Sequence, residues 1–219
     1  MVELIHGLRA EQVRANLERV RERIADAGRE PATVEVLAAV KYVPAEELEA
    51  LAEAGVTLVG ENRAQDLAVK ADRHPGRFTW DFIGNLQSRK VRDVVGRVRY
   101  IHSVATDSVL GQLARHGNER TEVLIEVNVA GQEGKGGVAP SALPAFIDRC
   151  PARVIGLMTM PPRAARAEDN RRHFATLREL AADHGLAQLS MGTSQDYVVA
   201  VQEGATVVRL GTTLYAGAP

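Results

Sequence analysis

The segment Val34–Glu35–Val36–Leu37–Ala38–Ala39–Val40, with Lys41 directly after it, carries the clearest structural signal in the chain. An almost uninterrupted apolar run of this length is typical of a strand that is buried on both faces. Pro44 with Glu46 and Glu47 then indicates the start of a helix, because proline and acidic residues suit a first helical turn. A buried strand that leads at once into a helix is the basic unit of α/β proteins.

The same unit recurs along the whole chain. The predicted strands cover 34–40, 56–60, 79–84, 99–104, 122–129, 153–159, 187–191 and 206–210. The predicted helices between them cover 44–54, 61–72, 86–96, 106–116, 139–148, 166–185 and 194–203. Eight strands with helical crossovers favour a (β/α)8 TIM-type barrel over an open doubly wound sheet. No linker rich in Gly, Ser or Pro interrupts the pattern, so we expect residues 1–219 to form a single domain.

An additional amphipathic helix is predicted at 8–29, ahead of the first strand. Its apolar residues fall on one stripe, formed by Val13, Leu17, Val20 and Ile24. Few residues follow the eighth strand, so the last helix must be short. We therefore expect the N-terminal helix to help close the outer ring.

Composition excludes several classes of function. The net charge of −1 and the 4% of aromatic residues argue against a surface that recruits nucleic acid or an anionic membrane. Cys150 is the only cysteine, so no disulfide can form within the chain, and the six histidines lack the spacing of metal ligands. No apolar run reaches the length of a membrane span, and we expect a cytoplasmic protein without a metal site.

Lys41 is the first candidate for chemistry, because functional residues of such barrels follow the carboxyl ends of the strands. Partial burial at a strand end lowers the pKa of a lysine, and a neutral amine attacks an aldehyde to form a Schiff base. The alternative is an ammonium that reaches solvent or pairs with Glu61.

Candidate anion donors follow strands seven and eight. Ser190–Met191–Gly192–Thr193–Ser194 and Gly211–Thr212 combine glycines, which let backbone N–H groups approach a ligand, with hydroxyl donors. This pattern predicts a phosphate site, although ordinary turn and capping chemistry would use the same residues. Arg209 lies inside an apolar strand and needs a partner, either a ligand atom or a carboxylate such as Glu126.

Two further polar residues lie in predicted strands. We expect Asp81 to pair with a basic residue of a neighbouring strand. His102, at the end of the fourth strand, is expected to be a structural histidine with satisfied hydrogen bonds.

Taken together, these motifs resemble the pyridoxal phosphate homeostasis protein family from about residue 8 onward. The resemblance rests on Val36–Leu37–Ala38–Ala39–Val40–Lys41, Gly60–Glu61–Asn62 with Gln65, Phe82–Ile83–Gly84 with Leu86–Gln87 and Lys90, His102–Ser103–Val104, Gly156–Leu157–Met158, Leu189–Ser190–Met191–Gly192 with Ser194 and Asp196, and Val208–Arg209–Leu210–Gly211.

The resemblance implies a barrel like the N-terminal domain of alanine racemase, a fold type III domain that binds pyridoxal 5′-phosphate (PLP). It implies a Schiff base between PLP and Lys41, and an Arg209 that faces the pyridine nitrogen. The residues implied to surround the phosphate are Ser190, Met191, Gly192, Ser194, Gly211 and Thr212. Those implied near the rest of the cofactor are Asn62, Ile83, Gly84, Asn128 and Met158.

The family resemblance also implies a role in PLP homeostasis, with PLP-dependent apoenzymes as recipients. We expect a monomer without robust turnover, because racemases of this kind use a second domain and nothing follows Pro219 in this sequence. One alternative is a PLP-dependent enzyme, such as a weak amino-acid racemase or lyase. Another is a Schiff-base aldolase or phosphosugar isomerase in which Lys41 attacks the substrate. The glycine-rich segment 131–137 is a candidate gate over the mouth.

Overall fold

The computed structural model describes residues 4–217. Eight parallel strands form a closed barrel in sequential order, and β8 pairs with β1. The strands are β1 (Glu35–Ala39), β2 (Leu58–Glu61), β3 (Thr79–Phe82), β4 (Tyr100–Val104), β5 (Glu122–Glu126), β6 (Arg153–Met158), β7 (Gln188–Thr193) and β8 (Val207–Leu210). The predicted (β/α)8 barrel is confirmed.

Helices follow the strands and cover the barrel. They are α1 (Ala10–Asp26), α2 (Leu48–Glu53), α3 (Ala64–Arg73), α4 (Val91–Val94), α5 (Asp107–His116), α6 (Leu143–Asp148), α7 (Arg171–Asp183), α8 (Tyr197–Gln202) and α9 (Thr212–Tyr215). Short 3-10 turns precede α2, α4, α6 and α7, so these α-helices begin later than the sequence pattern predicted. Within residues 4–217, no helix is both long and apolar enough to cross a membrane.

Among the strands, the largest difference from a predicted boundary occurs at a carboxyl end. β5 ends at Glu126 rather than 129, because Val127 forms only an isolated bridge with Val138. β7 continues to Thr193, two residues beyond its predicted end. α8 begins at Tyr197 instead of 194, because the side chain of Asp196 accepts the Thr193 N–H and closes a turn before the helix. Of the predicted phosphate residues, those in segment 190–194 therefore lie on the end of β7 and in this turn, whereas Gly211 and Thr212 follow β8.

The predicted role of the N-terminal helix is also confirmed. The apolar stripe of α1 is buried, and α9, the last helix, has only four residues. Buried Asn16 of α1 donates hydrogen bonds to the carbonyls of Leu214 and Ala216, at distances of 2.8 and 3.0 Å. α1 thus covers the part of the ring that the short α9 leaves open.

The barrel interior has an apolar part and a polar part. Leu37, Leu58 and Val207 form a small apolar cluster with Ile83, separate from the larger core between strands and helices. The polar part, which is described below, lies between β3, β4, β7 and β8, and its buried members are Asp81, His102, Ser190 and Arg209. A barrel interior that keeps a guanidinium and a carboxylate in place of apolar side chains indicates a functional role.

Candidate functional site at the barrel mouth

Lys41 lies on the rim, in the turn that follows β1. Its side chain is exposed, and its ammonium lies 4.8 Å from the centroid of the Tyr42 ring. The expected partial burial of Lys41 is wrong for this structure, because β1 ends at Ala39 and Lys41 extends beyond the packed interior. The alternative pairing with Glu61 is also wrong, because Glu61 pairs with Lys70.

The end of β1 is held by buried polar groups that the sequence analysis did not single out. The Lys70 ammonium donates to Glu61 and, at 2.7 Å, to the carbonyl of Val40, which directly precedes Lys41. The Tyr215 hydroxyl donates to the Ala39 carbonyl at 3.3 Å. Lys70 could have been found from its sequence spacing, because it follows the buried residues of α3 at intervals of three, on the apolar face of the helix.

Ser194 connects the ends of β7 and β8. Its Oγ accepts the N–H groups of Gly211 and Thr213, at 3.2 and 3.1 Å. Two backbone donors that converge on one oxygen form a cradle that could equally accept an anionic oxygen. Thr213 was not among the predicted residues. The predicted Thr212 is exposed at the start of α9, and Met191 is fully buried.

The turn before α8 has a fixed shape. The carboxylate of Asp196 accepts the N–H and hydroxyl of Thr193, and its other oxygen accepts the Asn170 side chain at 2.8 Å. Gly192 has a φ of +91°, and a Cβ there would lie 2.6 Å from Cβ of Ala200. This position therefore requires glycine, for its positive φ and for the close approach of α8.

Arg209 is buried and makes three contacts through its guanidinium. Nη1 donates to Oγ of Ser190, and Nη2 lies 2.9 Å from both the Thr159 carbonyl and Sδ of Met160. Burial lowers the pKa of Arg209 to about 10, with an opposing effect from Glu126 and Asp196. The guanidinium stays charged at neutral pH. The predicted ion pair with Glu126 is not formed, since hydrogen bonds to Ser190 on β7 and to Thr159, directly after β6, hold the guanidinium instead.

His102 and Asp81 continue the polar contacts into the barrel. His102 Nδ1 lies 2.8 Å from Ser190 Oγ, and its Nε2 lies 3.0 Å from Asp81 Oδ2. Asp81 also accepts two hydrogen bonds from Arg99, which confirms the expected pairing with a neighbouring strand. Burial alone raises the pKa of the Asp81 carboxyl, but the hydrogen bonds from His102 and Arg99 outweigh it and hold that pKa below its usual value.

Burial also lowers the pKa of His102, more than its hydrogen bond with Asp81 raises it. His102 is therefore neutral in the folded protein, whereas it binds a proton in the unfolded chain below about pH 6.5. The free energy of unfolding must therefore fall as the pH is lowered from about 6.5 toward the lowered pKa of the folded His102, by at most about 1.4 kcal/mol per pH unit from this group.

We expect His102→Asn to lose this part of the slope below about pH 6.5, which denaturant titrations at several pH values would measure. Comparing slopes rather than absolute stabilities corrects for the cost of the substitution itself. Equal slopes for both proteins would contradict a neutral His102.

Asn62 and Gly84 lie side by side on the rim. The Ile83 N–H donates to the Glu61 carbonyl at 2.9 Å, and a Cβ at Gly84 would lie only 2.1 Å from the Asn62 carbonyl oxygen. The side-chain oxygen of Asn62 is buried and has no hydrogen-bond partner among the described residues. Such an unpaired acceptor is costly unless a ligand or water donates to it.

Asn128 and Met158 occupy different positions. Met158 lies between Glu126 and Ser190 in the strand register, with its side chain buried. The Asn128 side chain is hydrogen-bonded to the backbone of Gln132, so it stabilises the start of the glycine-rich segment. Near this segment, Glu126 and Lys135 interact electrostatically.

The structure thus brings most of the predicted residues to one rim. On this rim, the pairing of β1 with β8 brings Lys41 near the Ser194 cradle. Ala38 of β1 pairs with Leu210 of β8, and Gly211 lies against the Ala39 carbonyl. Lys41 is therefore close along the rim to the Ser194 cradle. Lys135 follows β5, which is not adjacent to β8 or β1 in the barrel order.

The sequence of this closed barrel matches a known family, the N-terminal domain of alanine racemase. The family model for that domain, "Alanine racemase, N-terminal domain", matches residues 8–219. The chain is also 38% identical over 213 residues to the pyridoxal phosphate homeostasis protein of Aquifex aeolicus, covering 91% of this chain and 93% of that protein. The chain belongs to the pyridoxal phosphate homeostasis protein family.

Two solved structures, one of a similar sequence and one of a more distant sequence, share this fold. PipY of Synechococcus elongatus, solved with PLP bound, superposes with a TM-score of 0.76 at 30% identity, covering 90% of this chain and 100% of PipY. Alanine racemase of Corynebacterium glutamicum superposes with a TM-score of 0.74 at 16% identity, covering 100% of this chain and 64% of the racemase. The second comparison establishes the shared fold alone.

Proposed function

We propose that this protein binds PLP at the barrel mouth, as a Schiff base on Lys41, and contributes to PLP homeostasis in the cell. The observation that carries the proposal is an exposed lysine just beyond the end of β1, the strand that pairs with β8, whose following residue Gly211 donates its N–H to Ser194 in the cradle. The related PipY was solved with PLP bound and covers nearly the same length of chain, which supports the same ligand here.

The residues at the mouth fit this cofactor. The Gly211 and Thr213 N–H groups, with the Ser194 hydroxyl, are donors suited to a phosphate dianion. Arg209 offers a cation that hydrogen bonds hold in place. Its pKa of about 10 keeps it charged at neutral pH, because Glu126 and Asp196 oppose the effect of burial. Asn62 offers a buried acceptor that is otherwise unpaired. We therefore propose Ser190, Met191, Gly192, Ser194, Gly211 and Thr212 around the phosphate, with Asn62, Ile83, Gly84, Asn128, Met158 and Arg209 around the rest of the cofactor.

The chemistry assigned to Lys41 is condensation with an aldehyde. Lys41 Nζ attacks as a neutral amine, a C=N bond forms, and the aldehyde oxygen leaves as water with both amine protons. PLP supplies the aldehyde and a ring that withdraws electrons from a bound amine. Exposure of Lys41 at the rim leaves room for another amine to reach the same carbon, which suits a protein that releases its cofactor.

We extend the proposal to a carrier without robust turnover, which delivers PLP to apoenzymes and acts as a monomer. Arg209 supports the absence of robust turnover, because a fixed cation disfavours a protonated ring nitrogen and so weakens the ring as an electron sink. The closed barrel supports a monomer, because it has no unpaired strand edge that a second copy would need to cover. Steady multiple turnover in racemase or decarboxylase assays, lost in Lys41→Ala, would instead establish an enzyme.

The phosphate cradle is tested by Ser194→Asp. A carboxylate at this position repels a dianion by several kcal/mol at an effective dielectric constant of about 20, so we expect PLP to bind about 100-fold more weakly or worse. Ser194→Ala removes one hydroxyl and is expected to cost about tenfold or less. Absorbance titrations with PLP would measure both losses.

Pyridoxal, which lacks the phosphate, is the matched control ligand. Its binding is expected to be nearly the same in the wild-type protein and in Ser194→Asp. If the substitution weakens pyridoxal and PLP equally, Ser194 does not contact the phosphate.

A further inference from the structure

A row of hydrogen-bonded side chains crosses the barrel interior and ends at Arg209. The first three residues of the row, Asp81, His102 and Ser190, are completely buried. Toward the opposite end of the barrel, Arg99 continues the row from Asp81 to the half-exposed Glu35. Burial of this many polar groups is costly, so the arrangement calls for a role beyond stability.

The protons in this row have only one consistent assignment. The ionised Asp81 is an acceptor, so the neutral His102 carries its proton on Nε2 and donates it to Asp81. His102 Nδ1 is then free to accept the Ser190 hydroxyl proton. The Ser190 oxygen, in turn, accepts the N–H of Arg209. Asp81 thereby orients His102, and His102 orients Ser190. Ser190 in turn orients Arg209 at the mouth.

A second partner competes for the Arg209 guanidinium. Glu126 is the last residue of β5, is half-buried, and acts electrostatically on Arg209 without forming an ion pair with it. Asp196 also acts on Arg209 electrostatically but is occupied by Thr193 and Asn170. Without the hydrogen bond to Ser190, Arg209 would gain by turning toward Glu126.

We infer that Asp81 and His102 are positioning residues that act through Ser190 to hold Arg209 toward the ring nitrogen of PLP and away from Glu126. The inference rests on the proposed function, because it needs PLP on Lys41. A cation fixed near a pyridine nitrogen disfavours protonation of that nitrogen and lowers its pKa by about one to three units. Asp81 and His102 thus set the protonation state of the bound cofactor without touching it.

The test uses PLP labelled with 15N in the ring, whose resonance distinguishes a protonated from an unprotonated nitrogen. In the wild-type protein the nitrogen is expected to stay unprotonated at neutral pH. Ser190→Ala, which deletes a single oxygen, is expected to raise the midpoint of protonation by about one pH unit or more. His102→Leu is expected to do the same, and should it fail to fold, Ser190→Ala carries the test.

Two variants separate positioning from a general loss of stability. His102→Asn keeps an acceptor near the position of Nδ1, so its midpoint is expected to return toward the wild-type value. Thr121→Val removes a buried hydroxyl that bonds the Asn118 N–H before β5, away from the mouth, and is expected to leave the midpoint unchanged.

Borohydride reduction and peptide mapping of each labelled sample test the attachment of PLP to Lys41 separately from the positioning role of Asp81 and His102. If the wild-type adduct does not map to Lys41, the proposed function fails. If every variant carries the adduct on Lys41 and all midpoints coincide, the positioning role of Asp81 and His102 is refuted while the proposed function stands. An equal shift in Thr121→Val would also refute it, because stability alone would then explain the change.

Discussion

Replacing Lys41 with alanine is expected to abolish the covalent attachment of PLP. The wild-type protein should turn yellow with PLP, and borohydride should fix the cofactor to the peptide that contains Lys41. The chain has four lysines, at 41, 70, 90 and 135, so the mapping has few possible outcomes. Because the Lys41 side chain is exposed, its truncation should change the free energy of unfolding by no more than about 0.5 kcal/mol.

The other three lysines provide the controls. Lys70 is buried in its ion pair with Glu61, and Lys90 pairs with Asp93 at 3.3 Å. Lys135 is the physical competitor, because partial burial lowers the pKa of its amine, although Glu126 opposes this effect. We expect Lys135→Ala to keep the colour and the adduct on Lys41. An adduct on Lys135 in the wild-type protein would overturn the assignment.

The barrel could be predicted from the sequence because its strands are buried on both faces. Segments such as 34–40 are therefore apolar throughout and stand out from the amphipathic helices. The helix boundaries were less predictable. The segment 86–96 is only briefly α-helical, because Gln87 is extended and a 3-10 turn at Ser88–Lys90 comes first. A 3-10 turn or an extended residue before a helix does not change the spacing of apolar residues, so the apolar pattern does not show where the α-helix begins.

The positions of the candidate site residues were predictable in the same way, because every strand delivers its carboxyl end to one rim. Their partners were not. The sequence offered Glu126 as the partner of Arg209 and Glu61 as a partner of Lys41, whereas the structure pairs Arg209 with Ser190 and Glu61 with Lys70. In each pair the two residues lie on different elements, Ser190 on β7 with Arg209 on β8 and Glu61 on β2 with Lys70 on α3. The register and packing of the closed barrel therefore determine which partners meet.

Lys70→Met is expected to lower the free energy of unfolding by about 3–5 kcal/mol, because it leaves Glu61 as a buried charge without its partner. Glu61 is completely buried and Lys70 is 6% exposed, so water cannot replace the lost ammonium. The carbonyl of Val40 also loses its donor, which loosens the end of β1 next to Lys41. Denaturant titration would measure the stability, and the rate of PLP adduct formation would report the disorder at Lys41.

The double variant Glu61→Gln/Lys70→Met separates the buried charge from the lost contact with Val40. Glutamine keeps an acceptor for the Asn62 N–H, which Glu61 Oε1 accepts at 2.7 Å, but removes the charge. Most of the stability should therefore return, since a neutral pair of similar volume replaces a buried ion pair at little cost. The rate of adduct formation should not return, because Val40 still lacks the Lys70 ammonium. If the rate recovers together with the stability, Lys70 acts on the fold alone and does not position the end of β1.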